Sequence, residues 1–284
     1  MEVYTLIETR GLNKSYGQLR AVADLNMKIE EGEIFGLLGP NGAGKTTTIR
    51  MLTMLTRPTS GEAFIAGHEV SRDLDRVKRA IGVVPQHMNL DQELTARENL
   101  ELHGRLHKMP AAERRRCIAE LLAFVELADR ADDLVSRFSG GMKRRLMIAR
   151  ALMHQPRVLF LDEPTIGLDP QARRRIWDLV RQMNGDGVTV LLTTHYIEEA
   201  EVLCHQVGVM DHGKLIALGT PAELKERVGR FAVESLNGGE AAYTLYGTRE
   251  EALRSAGHLE GGVAIRETSL EDVFIQLTGR RVGG

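Results

Sequence analysis

Short apolar runs alternate along this chain with stretches whose apolar residues recur at helical spacing. Ile34–Gly39, Ile81–Val84, Val158–Leu161, Val188–Thr193 and Val207–Met210 are almost free of charge, which predicts strands buried on both faces. Helix-period segments such as Thr46–Leu55 and Ala172–Met183 lie between them. Strands interleaved with helices predict an α/β domain built on a mostly parallel sheet. From about Leu94 to Met153 strand patterning stops and only helical spacing remains. There Ala111–Leu127 places Ile118, Leu121, Leu122 and Val125 on one face, and the basic run Arg114–Arg116 falls elsewhere and reads as solvated. Residues of about 90–153 are therefore expected to form a helical subdomain inserted into the α/β core.

The pattern changes again after Gly219-Thr220-Pro221. A helix at Ala222–Val228 precedes a glycine-rich tail containing Gly238-Gly239 and Gly261-Gly262. Strands are expected at Phe231–Leu236, Ala242–Tyr246 and Val263–Glu267, with helices at Glu250–Ser255 and Leu270–Leu277. The expected division is a large domain over 1–228 and a small α+β appendage over 229–284.

Composition narrows the function classes. Hydrophobic residues make up 43% of 284, enough for a sizeable core, and the formal charge of −2 argues against a nucleic-acid binder held by a basic face. Cys117 and Cys204 have no metal-ligand or CxxC spacing around them and read as reduced thiols of a cytosolic protein. The first residues, MEVYTLIETRGL, carry early acidic groups and no apolar signal segment. The two most apolar segments, IFGLLG and VTVLLTTH, are strand-sized, and no run approaches the roughly 18 residues of a membrane span. A transport role would need a separate membrane subunit.

Three segments carry chemistry. Gly39-Pro40-Asn41-Gly42-Ala43-Gly44-Lys45-Thr46 fits G-x-x-x-x-G-K-[ST], with a buried strand before it and a helix after. Its glycines let backbone N–H groups turn around a phosphate, and the helix start adds a favourable dipole. Lys45 can reach the β- and γ-phosphates, and the Thr46 hydroxyl can ligate Mg²⁺. The strand RVLFLDE ends on Asp162, placed to hold the Mg²⁺ shell, and Glu163, placed to polarise an attacking water. Phe138-Ser139-Gly140-Gly141-Met142 reads as an N-cap and a bare helix start, a second anion-binding end.

These segments, together with Gln86, Gly167-Leu168-Asp169 and His195, resemble the motifs of ATP-binding cassette (ABC) transporter ATPases in their order along the chain. The resemblance spans about residues 5 to 220. It implies a P-loop NTPase with a RecA-like core, an antiparallel β-subdomain and the helical insert, with ATP and Mg²⁺ as cofactors. It implies that Tyr16 stacks on adenine and that the phosphate loop extends through Thr47. Gln86 matches the residue that senses Mg²⁺ and the attacking water and couples to the membrane subunit. Asp169 matches the acidic link between two active sites, and His195 the γ-phosphate contact. Met142 stands where the superfamily usually has Gln, and Phe138 where it has Leu, so the resemblance does not extend to a polar side-chain contact at 142.

SGGMKRRL, VVPQHMNLDQELTARENL, LTTHYIEEAE and the ending TSLEDVFIQLTGR are similar to the exporter branch that includes daunorubicin and nodulation-factor systems. The resemblance thus implies the ATPase subunit of an exporter. Such a subunit sits peripherally on the cytoplasmic face of the inner membrane, pairs as a homodimer on ATP and drives a separate permease. Importer ATPases share the motifs through His195 and are the alternative. Soluble non-transport ABC proteins usually carry two cassettes or a long coiled-coil insert, and this chain has one P-loop and one signature.

Overall fold

The computed structural model describes residues 4–237, 240–259 and 262–279. The glycines at 238, 239 and 261, and Arg280 of the resembling tail, lie outside the described residues. In chain order the structure runs β1 (Thr5–Tyr16), β2 (Leu19–Glu30), β3 (Ile34–Leu38), α1 (Lys45–Leu52), β4 (Ser60–Ile65), β5 (His68–Glu69), α2 (Leu74–Ala80) and β6 (Ile81–Val84). The helical stretch follows as α3 (Ala96–Leu106), α4 (Ala111–Phe124) and α5 (Gly140–Leu152). Then come β7 (Val158–Asp162), α6 (Pro170–Gly185), β8 (Thr189–Thr194), α7 (Ile197–Leu203), β9 (Gln206–Asp211), β10 (Lys214–Gly219) and α8 (Pro221–Val228). The tail comprises β11 (Phe231–Asn237), β12 (Glu240–Tyr246), α9 (Arg249–Ala256), β13 (Gly262–Glu267) and α10 (Leu270–Thr278).

Six strands form the central sheet in the order β10-β9-β3-β8-β7-β6, parallel except for β10. β3, β7 and β8 are buried along their whole length, as their unbroken apolar runs require. Alternate residues of β3 serve opposite faces. Ile34 and Leu38 join a core with α3–α7, and Phe35 and Leu37 join one with β1, β2 and α1. β3 lies between β8 and β9, so its carboxyl end opens at a switch in strand order, where α/β sheets bind ligands.

A second sheet, β2-β1-β4-β5, is antiparallel and supplies the β-subdomain that the resemblance implied. The helical insert also forms as expected, with Ile118, Leu122 and Val125 buried. Three expectations need correction. Helix α1 stops at Leu52 rather than Leu55, because Met54 turns to φ 61° and the Leu55 and Thr56 N–H groups both donate back to Arg50 O. Helix α4 stops at Phe124, with Val125 as its C-cap and Glu126 at φ 55°. Arg114 is not solvated with Arg115 and Arg116. Its Nε donates to Glu101 at 2.8 Å and its Nη1 to Met109 O at 2.7 Å, fastening α4 to α3.

The tail folds as a three-stranded antiparallel sheet, β12-β11-β13, with α9 and α10. The Arg266 guanidinium joins β13 to the start of α10 through Asp272, at 2.6 and 2.8 Å, and to β11 through Glu234, at 2.8 Å. Helix α10 buries Leu270, Val273 and Phe274 in the same cluster as Leu203 and Leu224 of the main body. Among the described residues no helix is long and apolar enough to cross a membrane.

Candidate functional site

The phosphate loop leaves β3 and enters α1 through Gly44, whose φ of 103° is open to glycine but costly for other residues. A side chain there would also collide with Ala21 O, which lies 2.4 Å from the position of a Cβ. The turn is fixed by Gly39 N–H donating to Thr194 O at 3.3 Å and Ala43 N–H donating to Pro40 O at 3.2 Å. Lys45 is only 4% exposed. Its ammonium donates to Gly39 O at 2.7 Å and Pro40 O at 3.0 Å and lies 3.5 Å from Glu163. Burial pulls the Lys45 pKa below its ordinary value, against the opposing pull of Glu163 and Asp162.

The carboxylates arrive from β7. Asp162 Oδ1 accepts the Thr46 hydroxyl at 3.0 Å and the Thr193 hydroxyl at 2.6 Å, so β7, α1 and β8 meet on one oxygen. Glu163 sits just beyond the strand at φ 48°, held by its N–H donating to Thr193 O at 3.1 Å and Thr193 Oγ1 at 3.0 Å. Its carboxylate collects three neighbours: Lys45, the Gln86 amide at 3.2 Å and His195 Nδ1 at 3.3 Å. Lys45, Gln86 and Glu163 border a cleft of about 610 Å³, which also takes in Tyr16 and Asn41 through Thr47. Asp162 and His195 stand behind it, joined to Thr46 and Glu163. Tyr16 is half exposed, with Lys14 Nζ 4.8 Å from its ring centre. The cleft joins an aromatic face, a run of backbone N–H groups, a buried cation and hard oxygen donors. That set suits a nucleotide with its phosphates.

Not every expected site residue is here. Ser139, Gly141 and Asp169 line a separate depression of about 230 Å³ with Met142, Arg145 and Arg175. Ser139 caps α5 by accepting the Met142 N–H at 3.3 Å, with Gly140 as the first helical residue. Asp169 caps α6 by accepting the Ala172 N–H at 2.8 Å. The Met142 side chain packs on the core cluster, so an apolar residue suits its position.

Several residues of the site escape sequence reasoning. Thr193 binds both carboxylate residues but reads as part of an apolar strand. Arg144 looks like one more charge in KRR, yet it is 2% exposed and donates to Pro85 O at 2.8 Å and Gln86 O at 3.0 Å. It therefore clamps the segment bearing Gln86 to the helix that starts at Gly140. Glu199 is fully buried and accepts from the Thr165 hydroxyl at 2.9 Å and the Trp177 indole at 3.0 Å. Burial raises its pKa. His212 borders the phosphate cleft from the β9–β10 turn. The signal that could have found Thr193 is the hydroxyl pair Thr193-Thr194 that closes the strand just before His195.

Residues 22–166 match the family described as ABC transporter. The daunorubicin resistance ATP-binding protein DrrA3 of Streptomyces coeruleorubidus is 41% identical, with 98% of each chain covered. The Nod factor export ATP-binding protein I of Ralstonia nicotianae is also 41% identical, over 98% of this chain and 95% of that one. A solved ATP-binding subunit of an ABC transporter superposes with a TM-score of 0.74 at 27% identity, covering 96% of this chain and all of that one. An ATP-binding cassette solved as a dimer in a post-hydrolysis state with ADP and Pi superposes at 0.68 with 32% identity, over 76% of this chain and 98% of that one. With relatives this similar from end to end, and a phosphate cleft built as the family motifs require, the chain belongs to the ABC transporter ATPases and binds and hydrolyses ATP.

Proposed function

We propose that this ATPase is the motor subunit of an exporter, working peripherally at the cytoplasmic face of the inner membrane with a separate integral-membrane permease. The observation that carries the reading is the 41% identity to drug-resistance and Nod-factor-export subunits over nearly the full chain, tail included. An importer subunit is the alternative, and no single contact favours it.

In this reading Tyr16 stacks on adenine, and residues Gly39 to Thr47 wrap the phosphates with their N–H groups. Lys45 turns its ammonium to the β/γ-phosphate oxygens. Thr46, Asp162 and the Gln86 side chain offer the oxygen donors that Mg²⁺ prefers, and the Thr46–Asp162 contact already brings two of them together. Bound Mg²⁺ would neutralise charge on the phosphate oxygens. Glu163 orients a water and takes its proton as the water oxygen bonds to the γ-phosphorus and the bond to the bridging oxygen breaks, releasing ADP. His195 donates to the γ-phosphate and is aligned by Glu163. Ser139, Gly140 and Gly141 meet the γ-phosphate bound by a second copy of the chain, and Asp169 links the two sites. A two-fold pairing completes both sites at once. Domains of 1–228 and 229–284 divide the work, with nucleotide handling confined to the first.

The test is reconstitution of the chain with its co-purifying permease in vesicles. ATP-driven movement of a cargo outward, with ATPase stimulated by that cargo, is the expected result. Uptake that depends on a binding protein would replace this reading with the importer.

A further inference from the structure

Three imidazoles meet where the helical insert touches the central sheet. His103 and His107 lie four residues apart, so they share a face at the end of α3. His154 follows α5 and reaches them across the junction. The His107 and His154 rings stack at 3.9 Å, and His103 lies 4.6 Å from His107 and 6.1 Å from His154, centre to centre. One nitrogen of each ring comes within 4.8 Å of the other two.

The nitrogen roles are informative. His154 Nε2 lies 2.8 Å from Ile81 O, and a carbonyl can only accept, so Nε2 carries the proton and Nδ1 presents its lone pair. That Nδ1, and His103 Nε2, are both buried without a hydrogen-bond partner. Two buried orphan nitrogens in one cluster of three imidazoles need an explanation. Metal-bound histidines commonly show this arrangement, with the far nitrogen donating to a backbone carbonyl and the near one left to the ion. Packing holds the cluster closed, because Gly104 lets Arg114 and the Met153 side chain lie against the backbone of α3 where a Cβ would clash.

We propose that His103, His107 and His154 form a binding site for a borderline-soft divalent transition ion, Zn²⁺ in the first instance. Donors that are all imidazole select such ions over Mg²⁺ or Ca²⁺. Around Zn²⁺ the nitrogens sit at about 2.0–2.1 Å, so ring rotations must draw these three closer together. A water completes the fourth position on the side of exposed His107. All three imidazoles have lowered pKa values, His103 to about 3 through burial and the nearby His107, Arg150 and His154, so they are neutral and ready to ligate. The Arg150 charge opposes a cation, although its guanidinium is turned to Asn89 O and Oδ1. The site is thus weaker than a closed structural one. An ion held there would fasten α3 to the first residue of β6, the strand that leads to Gln86.

The test titrates Zn²⁺ alone, without nucleotide, into the untagged full chain by calorimetry. One equivalent is expected to bind, with affinity falling at least about tenfold in both His107→Ala and His154→Gln. His107 is exposed, so His107→Ala is expected to keep its fold and its basal ATPase rate, which separates lost binding from misfolding. Absence of saturable binding at micromolar to sub-millimolar Zn²⁺ would overturn the proposal. So would binding that persists unchanged in both variants, since the ion would then sit elsewhere.

Discussion

Helix α1 follows a glycine cap, Gly44, and α5 opens on Gly140, so both present bare N–H groups, but their surroundings differ. The start of α1 is enclosed with a buried lysine, a carboxylate joined to the Thr46 hydroxyl, and Glu163 backed by Gln86 and His195. The start of α5 faces a smaller depression, lined by a serine hydroxyl, helix N–H groups, the Asp169 cap, Arg145 and Arg175. The first gathers the groups that the proposed mechanism uses to hold and cut a phosphate anhydride. In the proposed function the second adds to a phosphate held by another copy of the chain. That asymmetry within one chain is what the proposed two-fold pairing turns into two whole sites.

The strongest way to break the contrast is at Lys45. Lys45→Ala should lower steady-state phosphate release by about a thousandfold, since it removes the buried cation from the developing charge. Near-normal release, with contaminating activity excluded, would mean that the α1 site is not the hydrolytic one. Glu163→Gln should slow hydrolysis by about a hundredfold while leaving ATP affinity intact. This variant should sediment as a dimer with Mg-ATP and as a monomer without it, because a ligand bound by both halves favours assembly. A chain that stays monomeric at saturating ATP would count against the shared site.

Glycine substitutions sharpen the comparison on stability. Gly44→Ala forces a left-handed backbone and meets Ala21 O, so a loss of about 1–3 kcal/mol or more is expected in denaturant unfolding. Gly140→Ala has Leu168 Cδ2 at 3.7 Å as its nearest contact and should change stability by less than about 0.5 kcal/mol. Equal losses at the two positions would show that both helix starts are closely packed. Ser139→Ala should cost about 1 kcal/mol as a lost cap and reduce turnover, with nucleotide affinity of the single chain unchanged. Weaker binding by the isolated chain would place Ser139 in its own chain's nucleotide site. The smallest effect on nucleotide is expected from ending the chain at Val228. ATP affinity should persist, although uncovering Leu203 and Leu224 where α10 packs should lower the unfolding midpoint.

What was legible in the sequence was what is contiguous. The phosphate loop, the α5 cap and the five two-face strands each lie within a dozen residues and announce themselves by spacing or unbroken apolarity. β1 and β2 alternate, are half exposed, and carry register shifts on both sides of Leu12, so their pattern is diluted. β10 is an edge strand with only Gly219 buried, and its apolar run Leu215–Leu218 mixes partial burial with exposure rather than being buried on both faces. Arg144 and Glu199 are buried, and Arg114 is partly buried, through partners 58, 34 and 13 residues away, respectively. Composition makes such residues look like surface charge, because what neutralises them is brought close only by folding.

Glu163 illustrates a conflict between durability and work. Its φ of 48° belongs to the region where glycine and asparagine rest easily and glutamate does not, and its side chain is buried. A chain selected only to last would place a small, uncharged residue there. Such a replacement should make the protein harder to unfold and slow its turnover of ATP as Glu163→Gln does, so engineering for heat resistance must leave this position alone.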